Sequence, residues 1–255
     1  MKNAILVVSF GSTHQDTLEH AIEPTEARIA QAFPQAQIYR AFTSPTVRRR
    51  LEAKGIHVDS VEEALQKIAS DGFKQVVIQP TLLIPGHEFD RLSTIVNTCT
   101  FPLTCRMGTP LIRNEEDLDT LLSLLPRFYP VEKDEILLLM GHGTDHEANH
   151  FYVNLAQKMA SASDSAMALT TVEGKPDFQD TIKQLKALPV RKVTAAPLMM
   201  VAGDHAKNDM SGPDPDSLRS LLEQAGFEVT CQIKGLGEFE EIREIYVERL
   251  KALMV

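Results

Sequence analysis

The segment Pro197-Leu-Met-Met-Val-Ala-Gly203 repeats an earlier one, Pro80-Thr-Leu-Leu-Ile-Pro-Gly86, with the same spacing from proline to glycine. Each segment continues a short apolar run that begins a few residues before its proline. Such runs are typical of strands that are buried on both faces of a parallel sheet. The two segments therefore indicate that the same strand and its following loop occur twice in the chain.

The similarity extends outward from these two segments. Leu103-Thr-Cys105 is echoed by Val229-Thr-Cys231, and a helical pattern follows each. The first strand of each half ends in a glycine-containing turn, Ser9-Phe10-Gly11 in one and Gly141-His142-Gly143 in the other. An internal repeat on this scale predicts a duplicated α/β domain.

Strand and helix patterns alternate through both halves. Strands are predicted at residues 4–9, 37–42, 75–79, 103–107, 135–140, 168–172, 192–196 and 228–233. Helices are predicted at residues 17–33, 115–125, 147–162, 181–188, 216–225 and 239–253, and Ser60-Val-Glu-Glu63 is a capping box that opens another. The fold class is therefore α/β: two pseudo-symmetric, doubly wound (Rossmann-like) halves with parallel sheets, residues 1–128 and 129–255, and a cleft between them.

The composition excludes several functions. The 255 residues are 43% hydrophobic and 24% charged, which is ordinary for a globular protein, and the net charge of −9 argues against a general nucleic-acid surface. No apolar run approaches the roughly 20 residues of a membrane span. The three cysteines, an odd and sparse set, favour reduced thiols and a cytoplasmic location. Homo-oligomerisation stays open.

Three residues that commonly bind metals follow three strands of the second half. His142 follows the fifth strand, Glu173 the sixth, and His205 the loop after the seventh. In a parallel sheet these positions share the carboxyl edge, where ligands bind. Two imidazoles and a carboxylate suit a first-row divalent ion and leave coordination positions open. We therefore predict His142, Glu173 and His205 as metal ligands and catalytic residues, although each histidine alone could be an ordinary loop residue.

Several motifs identify a family that the chain resembles over nearly its whole length. They are Val7-Val-Ser-Phe-Gly11, Arg40-Ala-Phe-Thr-Ser44, Met140-Gly-His-Gly143, Val172-Glu173, Pro197-Leu-Met-Met-Val-Ala-Gly-Asp-His205 with Asn208-Asp-Met210, and Gly235-Leu-Gly-Glu238. The chain resembles the anaerobic cobalt chelatases of cobalamin biosynthesis, in the class II chelatase group with the ferrochelatases. In that family the residues matching His142, Glu173 and His205 bind the metal.

The resemblance implies a lyase that inserts cobalt(II) into the tetrapyrrole sirohydrochlorin, or its precorrin form, without ATP or an organic cofactor. The metal is a substrate, and iron or nickel would also suit these ligands. The sequence contains no G-x-x-x-x-G-K-[ST] phosphate loop, which agrees with ATP independence. Metallation must remove two N–H protons from the macrocycle, and a neutral imidazole such as that of His142 can accept a proton at cytosolic pH, with Glu173 assisting.

Contacts with the substrate are predicted mainly in the first half. Ser9, Phe10 and Ser12 end the first strand, and Met200 lies in the loop that leads to His205. The family carries an acidic residue matching Glu88, although an acidic residue there also suits a helix N-terminus. The adjacent His87 has an open role. Arg48, Arg49 and Arg50 could hold substrate carboxylates, but a solvated helix face is the favoured interpretation.

Two alternative functions remain at this stage. His146-Glu-Ala-Asn-His150 matches the zinc-peptidase pattern H-E-x-x-H, in which two histidines on one helix face bind zinc beside a glutamate base. A five-residue pattern with two free positions arises by chance more easily than the longer motifs above. A non-catalytic carrier of metal or tetrapyrrole would use the same ligands as the chelatase, so the sequence separates it poorly from an enzyme.

Overall fold

The computed structural model describes residues 3–161 and 167–254. Within them, the strands are β1 (Asn3–Ser9), β2 (Ala36–Phe42), β3 (Gln75–Pro80), β4 (Thr104–Met107), β5 (Glu135–Gly141), β6 (Met167–Thr171), β7 (Lys192–Leu198) and β8 (Glu228–Cys231). The α-helices are α1 (Gln15–Thr17), α2 (Glu23–Ala32), α3 (Pro45–Glu52), α4 (Val61–Ser70), α5 (His87–Asn97), α6 (Glu115–Phe128), α7 (His150–Ser161), α8 (Phe178–Lys186), α9 (Leu218–Gln224) and α10 (Glu240–Met254). No helix in these residues is long and apolar enough to cross a membrane.

The strands form two parallel four-stranded sheets with the same topology. One has the order β2-β1-β3-β4 and the other β6-β5-β7-β8. In each sheet the first strand of the half lies inside, paired with the second strand on one side and the third on the other. The strand order reverses there, which is where doubly wound sheets bind ligands. The predicted fold class of duplicated, doubly wound parallel sheets is confirmed.

Alternate residues of β1 show why both faces of the first sheet are buried. Leu6 and Val8 pack into a cluster with apolar residues of α4 and α5. Ile5 and Val7 point to the other face, where they pack with residues of α2 and α10. Successive side chains in a strand alternate between faces, so a continuous apolar run requires helices on both sides.

The chain forms two compact units whose bounds differ from those of the predicted halves. The second unit begins before residue 129 and ends before the final helix. Residues Met1–Arg113 pack with Gly237–Val255, and Asn114–Leu236 form the other unit. The final helix α10 joins the first unit because its apolar residues cover one face of β1, and Arg249 donates hydrogen bonds to the carbonyls of Pro110 and Leu111. Helix α6 joins the second unit, where Asp119 pairs with Lys158 at 2.6 Å. A boundary between residues 128 and 129 therefore does not match how these two helices pack.

All eight predicted strands are present, whereas some helices differ from their predicted form. The predicted helix 17–33 contains a π-helical turn at Leu18–Ile22 between α1 and α2, and the predicted helix 147–162 begins as a 3-10 turn at Glu147–Asn149. Its last predicted residue, 162, lies outside the described range. The capping box is confirmed: the Glu63 carboxylate accepts from the N–H of Ser60 at 2.6 Å, and the Ser60 hydroxyl accepts from the N–H of Glu63 at 3.1 Å.

Candidate functional site

The carboxyl edge of the second sheet brings the three predicted ligands together. His142 directly follows β5, Glu173 follows β6, and His205 precedes a π-helical turn, Ala206–Met210, beyond β7. Nδ1 of His142 lies 3.9 Å from Oε2 of Glu173. The imidazole rings of His142 and His205 have centroids 4.6 Å apart and planes nearly perpendicular, at 85°. His142 therefore lies beside both other residues, in one unit of the fold.

Glycines around His142 allow the turn after β5. Gly143 has φ of +77°, in the left-handed region, and a Cβ there would lie 2.6 Å from the backbone nitrogen of Gly174. A Cβ on Gly141 would lie 2.4 Å from the ring of Tyr152. Burial raises the pKa of Tyr152, while backbone hydrogen bonds from Gly143 and His142 act in the opposite direction. The buried tyrosine thus supports the turn that presents His142.

Backbone and side-chain hydrogen bonds join the loops that carry His142 and Glu173. The N–H of Glu173 donates to the carbonyl of His142 at 2.8 Å. Asn149 accepts from the N–H of Thr144 at 3.2 Å and donates to the carbonyl of Lys175 at 3.0 Å, so it links both loops. This residue was not predicted as part of the site. It lies inside the segment His146–His150, where the peptidase pattern drew attention to its neighbours instead.

The loop that carries His205 is held by the segment Gly235-Leu-Gly-Glu238. A Cβ on Gly235 would lie 2.8 Å from the backbone nitrogen of Ala202, so only glycine permits this approach. The N–H of Leu236 donates to the carbonyl of Met199 at 2.8 Å. Buried Tyr129 donates from its hydroxyl to the carbonyls of Pro197 and Lys234, at 3.1 and 2.6 Å. Gly235 and Leu236 therefore hold the loop that carries His205 in place.

Both histidines have Nδ1 engaged with an oxygen acceptor. Nδ1 of His142 lies 2.8 Å from the carbonyl oxygen of Gly143, and Nδ1 of His205 lies 2.7 Å from Oδ2 of Asp209. Because these oxygens can only accept, Nδ1 carries the proton in each neutral ring and Nε2 holds the lone pair. Each ring therefore has one nitrogen available for a metal ion or a proton.

The three side chains are exposed and do not yet converge as a ligand set. The exposed side-chain fractions are 45% for His142, 61% for Glu173 and 36% for His205. Among residues 3–161 and 167–254, no group of three or more His, Cys, Asp or Glu side chains is already arranged to hold a metal ion. Binding of one ion by all three would therefore require side-chain rotation.

The first unit places the residues predicted after β1 in different environments. Ser9 is 5% exposed and its hydroxyl bonds that of Thr81 at 2.7 Å, and Ser12 is 4% exposed and accepts from the N–H of His14. Phe10, in contrast, is 45% exposed. An exposed aromatic ring is available for contact with a flat macrocycle, whereas the two hydroxyls are engaged within the unit. Their role in substrate binding stays a prediction.

The other predicted substrate residues lie on two loops. Glu88 is in the first turn of α5, next to His87, with one carboxylate oxygen 3.7 Å from Arg91. Its other oxygen is buried and has no hydrogen-bond partner within the described chain. Met200 is half-buried in the loop between β7 and His205. Their contacts with a substrate stay predictions.

The basic run lies on α3, so the helix that the favoured interpretation assumed is present, although no bounds were predicted for it. Arg49 and Arg50 are exposed on α3, whereas Arg48 is half-buried and lies 3.7 Å from Glu63. Two of the three arginines thus lie on a solvated helix face, the favoured interpretation of this run.

The H-E-x-x-H segment does not form the helical arrangement that a zinc peptidase requires. His146 precedes the 3-10 turn in extended conformation, and its Nδ1 accepts from the N–H of Ala148 at 3.0 Å. Nδ1 of His150 bonds the carbonyl of Glu147 at 2.8 Å, and its ring packs on Phe151. The two histidines therefore do not occupy successive turns of one α-helix, and the peptidase alternative has no support.

We expect Glu147→Ala to leave chelatase activity within about twofold of the wild type, because Glu147 is exposed in the first turn after His146 and lies outside the His142 cluster. The measurement is the initial rate of metal insertion into the tetrapyrrole by absorbance. Glu173→Ala, the matched loss of a carboxylate, should reduce the rate severely. Near-complete loss in Glu147→Ala, or peptide hydrolysis by the wild type, would revive the peptidase hypothesis.

Comparisons with known proteins agree along the full length of the chain. The family model described as "Cobalt chelatase (CbiK)" matches residues 3–255. The sirohydrochlorin cobaltochelatase of Salmonella typhimurium (strain LT2) is 37% identical over 254 residues, which are 98% of this chain and 96% of that protein. The sirohydrochlorin cobaltochelatase CbiKC of Nitratidesulfovibrio vulgaris (strain Hildenborough) is 31% identical over 98% of this chain and 90% of its own length.

A solved structure supports the fold. SirB from Bacillus subtilis with Fe3+ matches with a TM-score of 0.66 at 14% identity, over 99% of this chain and 96% of that one. Identity this low shows a shared fold alone. The family model and the two relatives carry the stronger conclusion: the chain belongs to the cobalt chelatase (CbiK) family.

Proposed function

We propose that this protein is a sirohydrochlorin cobaltochelatase, a lyase of cobalamin biosynthesis that inserts cobalt(II) into sirohydrochlorin or its precorrin form. The observation that carries the proposal is the meeting of His142, Glu173 and His205 at one sheet edge in a member of the cobalt chelatase family. The proposal includes no ATP and no organic cofactor, and a cytoplasmic location. Iron and nickel are the alternative metals, since the same ligands suit them.

The cobalt ion is a substrate that the protein must bind and then release. We assign its binding to Nε2 of His142, Nε2 of His205 and the carboxylate of Glu173. Rotation of the exposed Glu173 side chain would bring its carboxylate towards the two rings. Three protein ligands leave coordination positions open for the pyrrole nitrogens, so the ion can pass from protein to macrocycle without full release into water.

Metallation also requires the loss of two pyrrole protons. Nε2 of His142 has a lone pair because Nδ1 is bonded to the Gly143 carbonyl. Once the cobalt ion has passed from Nε2 to the macrocycle, this nitrogen would accept one pyrrole proton, release it to water, since the side chain is 45% exposed, and then accept the second. The negative charge of Glu173, 3.9 Å from the same ring, would stabilise the imidazolium that forms. We therefore assign His142 as general base as well as metal ligand, with Glu173 supporting both roles.

Substrate contacts complete the proposal. In the first unit, the exposed ring of Phe10 offers an apolar face suited to a flat macrocycle. In the second unit, we assign Met200, in the loop that leads to His205, as a substrate contact. The side chain of Glu88 is 30% exposed, and one of its carboxylate oxygens is buried without a hydrogen-bond partner among the described residues; rotation of the carboxylate would let it accept from pyrrole N–H groups. Ser9 and Ser12 would shape the turn that presents Phe10.

We expect the protein to convert many equivalents of sirohydrochlorin to its cobalt complex, without ATP, because the ligand set is open and exposed. The measurement is the change in tetrapyrrole absorbance at a tenfold to hundredfold excess of substrate over protein, with cobalt(II), iron(II) and nickel(II) compared in parallel under anaerobic conditions.

This assay distinguishes an enzyme from the alternative, a non-catalytic carrier. A carrier would bind cobalt or tetrapyrrole stoichiometrically and give no product beyond one equivalent, and that outcome would contradict the proposal. The uncatalysed reaction without protein is the baseline.

Glu173→Gln should bind tetrapyrrole but hold cobalt more weakly, since the carboxylate charge is lost while the shape is kept.

A further inference from the structure

The side chain of Asp209 lies behind His205, on the side away from the nitrogen assigned to the metal. Its Oδ2 accepts from Nδ1 of His205 at 2.7 Å, across one turn of the π-helical segment Ala206–Met210. His205 and Asp209 are 36% and 44% exposed, so neither is held by deep burial. The hydrogen bond between them is therefore the polar contact that orients the imidazole, in addition to its packing against the ring of His142.

The backbone that carries His205 and Asp209 is anchored by neighbouring residues that point into the core. Ala206 and Met210, each the next residue after a member of the pair, are fully buried in the core of the second unit. The N–H of Gly212 donates to the carbonyl of Asn208 at 2.9 Å, and a Cβ on Gly212 would lie only 2.4 Å from that oxygen. The turn is thus anchored so that His205 and Asp209 keep their relative position while their side chains face solvent.

The two site histidines differ in what holds them. Nδ1 of His142 bonds a neutral backbone carbonyl, whereas Nδ1 of His205 bonds a carboxylate. Hydrogen bonds to an ionised acceptor are about twice as strong as neutral ones. A carboxylate behind a metal-binding histidine fixes both its tautomer and its ring orientation, and loss of such a partner typically lowers metal affinity about 10- to 100-fold.

We propose that Asp209 is a positioning residue that holds His205 in the Nδ1–H tautomer, with Nε2 directed to the incoming cobalt ion. The inference rests on the proposed function, because it takes His205 as a ligand of the substrate metal. It assigns the stronger and more rigid metal contact to His205. His142, held by a neutral carbonyl, is then the ring that can exchange its metal contact for a pyrrole proton.

The test measures cobalt binding by the protein alone, by calorimetry at a fixed pH of 7.5 and without tetrapyrrole. Asp209→Asn should weaken cobalt binding about 10- to 100-fold. Asp214→Asn is the matched control, because it makes the same charge change at an exposed position in the same connecting segment, and it should leave the affinity unchanged. In a His205→Ala background the Asp209→Asn change should have no further effect, since Asp209 acts through His205.

A second readout uses the metal-free wild type and needs no variant. Two-bond correlations between ring protons and nitrogens in its NMR spectrum should show the proton of His205 on Nδ1. Wild-type affinity in Asp209→Asn, additivity with His205→Ala, or a wild-type His205 protonated on Nε2 would each overturn the inference. Failure of the proposed function would show differently, as cobalt binding without turnover.

Discussion

His142→Ala and His205→Ala are each expected to abolish cobalt insertion into sirohydrochlorin while leaving the fold intact. Each change removes a proposed metal ligand. His142→Ala also removes the base for the pyrrole protons, and loss of such a base alone slows a reaction roughly 10²- to 10⁴-fold. Both side chains are about one-third to one-half exposed, so truncation opens no core cavity. The measurement is the initial metallation rate by absorbance, with circular dichroism as the folding check.

His150→Ala is the matched control for both variants. His150 is an exposed histidine of the same unit whose Nδ1 bonds a backbone carbonyl, as in His142, but it lies outside the cluster. It should retain wild-type turnover. A folded His142→Ala protein with wild-type turnover would show that the base, and with it the site, has been wrongly assigned.

Gly143→Ala is expected to lower the free energy of unfolding by roughly 2–4 kcal/mol and to disable metal insertion. The positive φ strains any residue with a Cβ, and the new methyl group would meet the backbone of Gly174 at 2.6 Å. Because Gly174 follows Glu173, the loop that carries this carboxylate would have to move away from His142. The measurements are urea denaturation and the metallation rate.

Gly226→Ala separates the effect of backbone strain at positive φ from the effect of the clash with Gly174. Gly226 also has a positive φ, +92°, but a Cβ there meets nothing within 4 Å. It should cost only the conformational strain, roughly 1–2 kcal/mol, and leave activity intact. Equal destabilisation by Gly143→Ala and Gly226→Ala, with activity kept in both, would contradict this prediction. It would show that the close approach of Gly143 to Gly174 is required neither for stability nor for activity.

The strands were predictable because their signal is local. A parallel strand covered on both faces must be apolar along its length, so β1, β5 and β7 are visible as continuous runs. Helices α3 and α5 were considered only in the interpretations of the basic run and of Glu88, and no bounds were predicted for them. Pro45–Glu52 is short and rich in arginine, and His87–Asn97 has one buried residue, Leu92. Helix α5 does have apolar residues at helical spacing, namely Phe89, Leu92, Ile95 and Val96, and this signal was overlooked.

The proximity of His142, Glu173 and His205 was predictable from topology, whereas the hydrogen-bond partners of these residues were not. His142, Glu173 and His205 each follow a strand of one parallel sheet, and carboxyl ends of such strands share an edge. Asp209 and Asn149 carried weaker signals. The spacing of four from His205 to Asp209 allows contact across a helical turn, but many such pairs occur by chance. The role of Asn149 depends on the loop geometry at Thr144 and Lys175.

The sequence by itself determined the duplicated α/β fold and the membership of a chelatase family, and it was enough to propose the ligand residues, since apolar periodicity and motif spacing are encoded locally. Only the tertiary structure decided that α10 packs with the first unit, which nitrogen of each histidine is available, and that the H-E-x-x-H segment forms a cap and a 3-10 turn. These features depend on contacts between residues far apart in the chain or on the path of the backbone, and no local pattern specifies either.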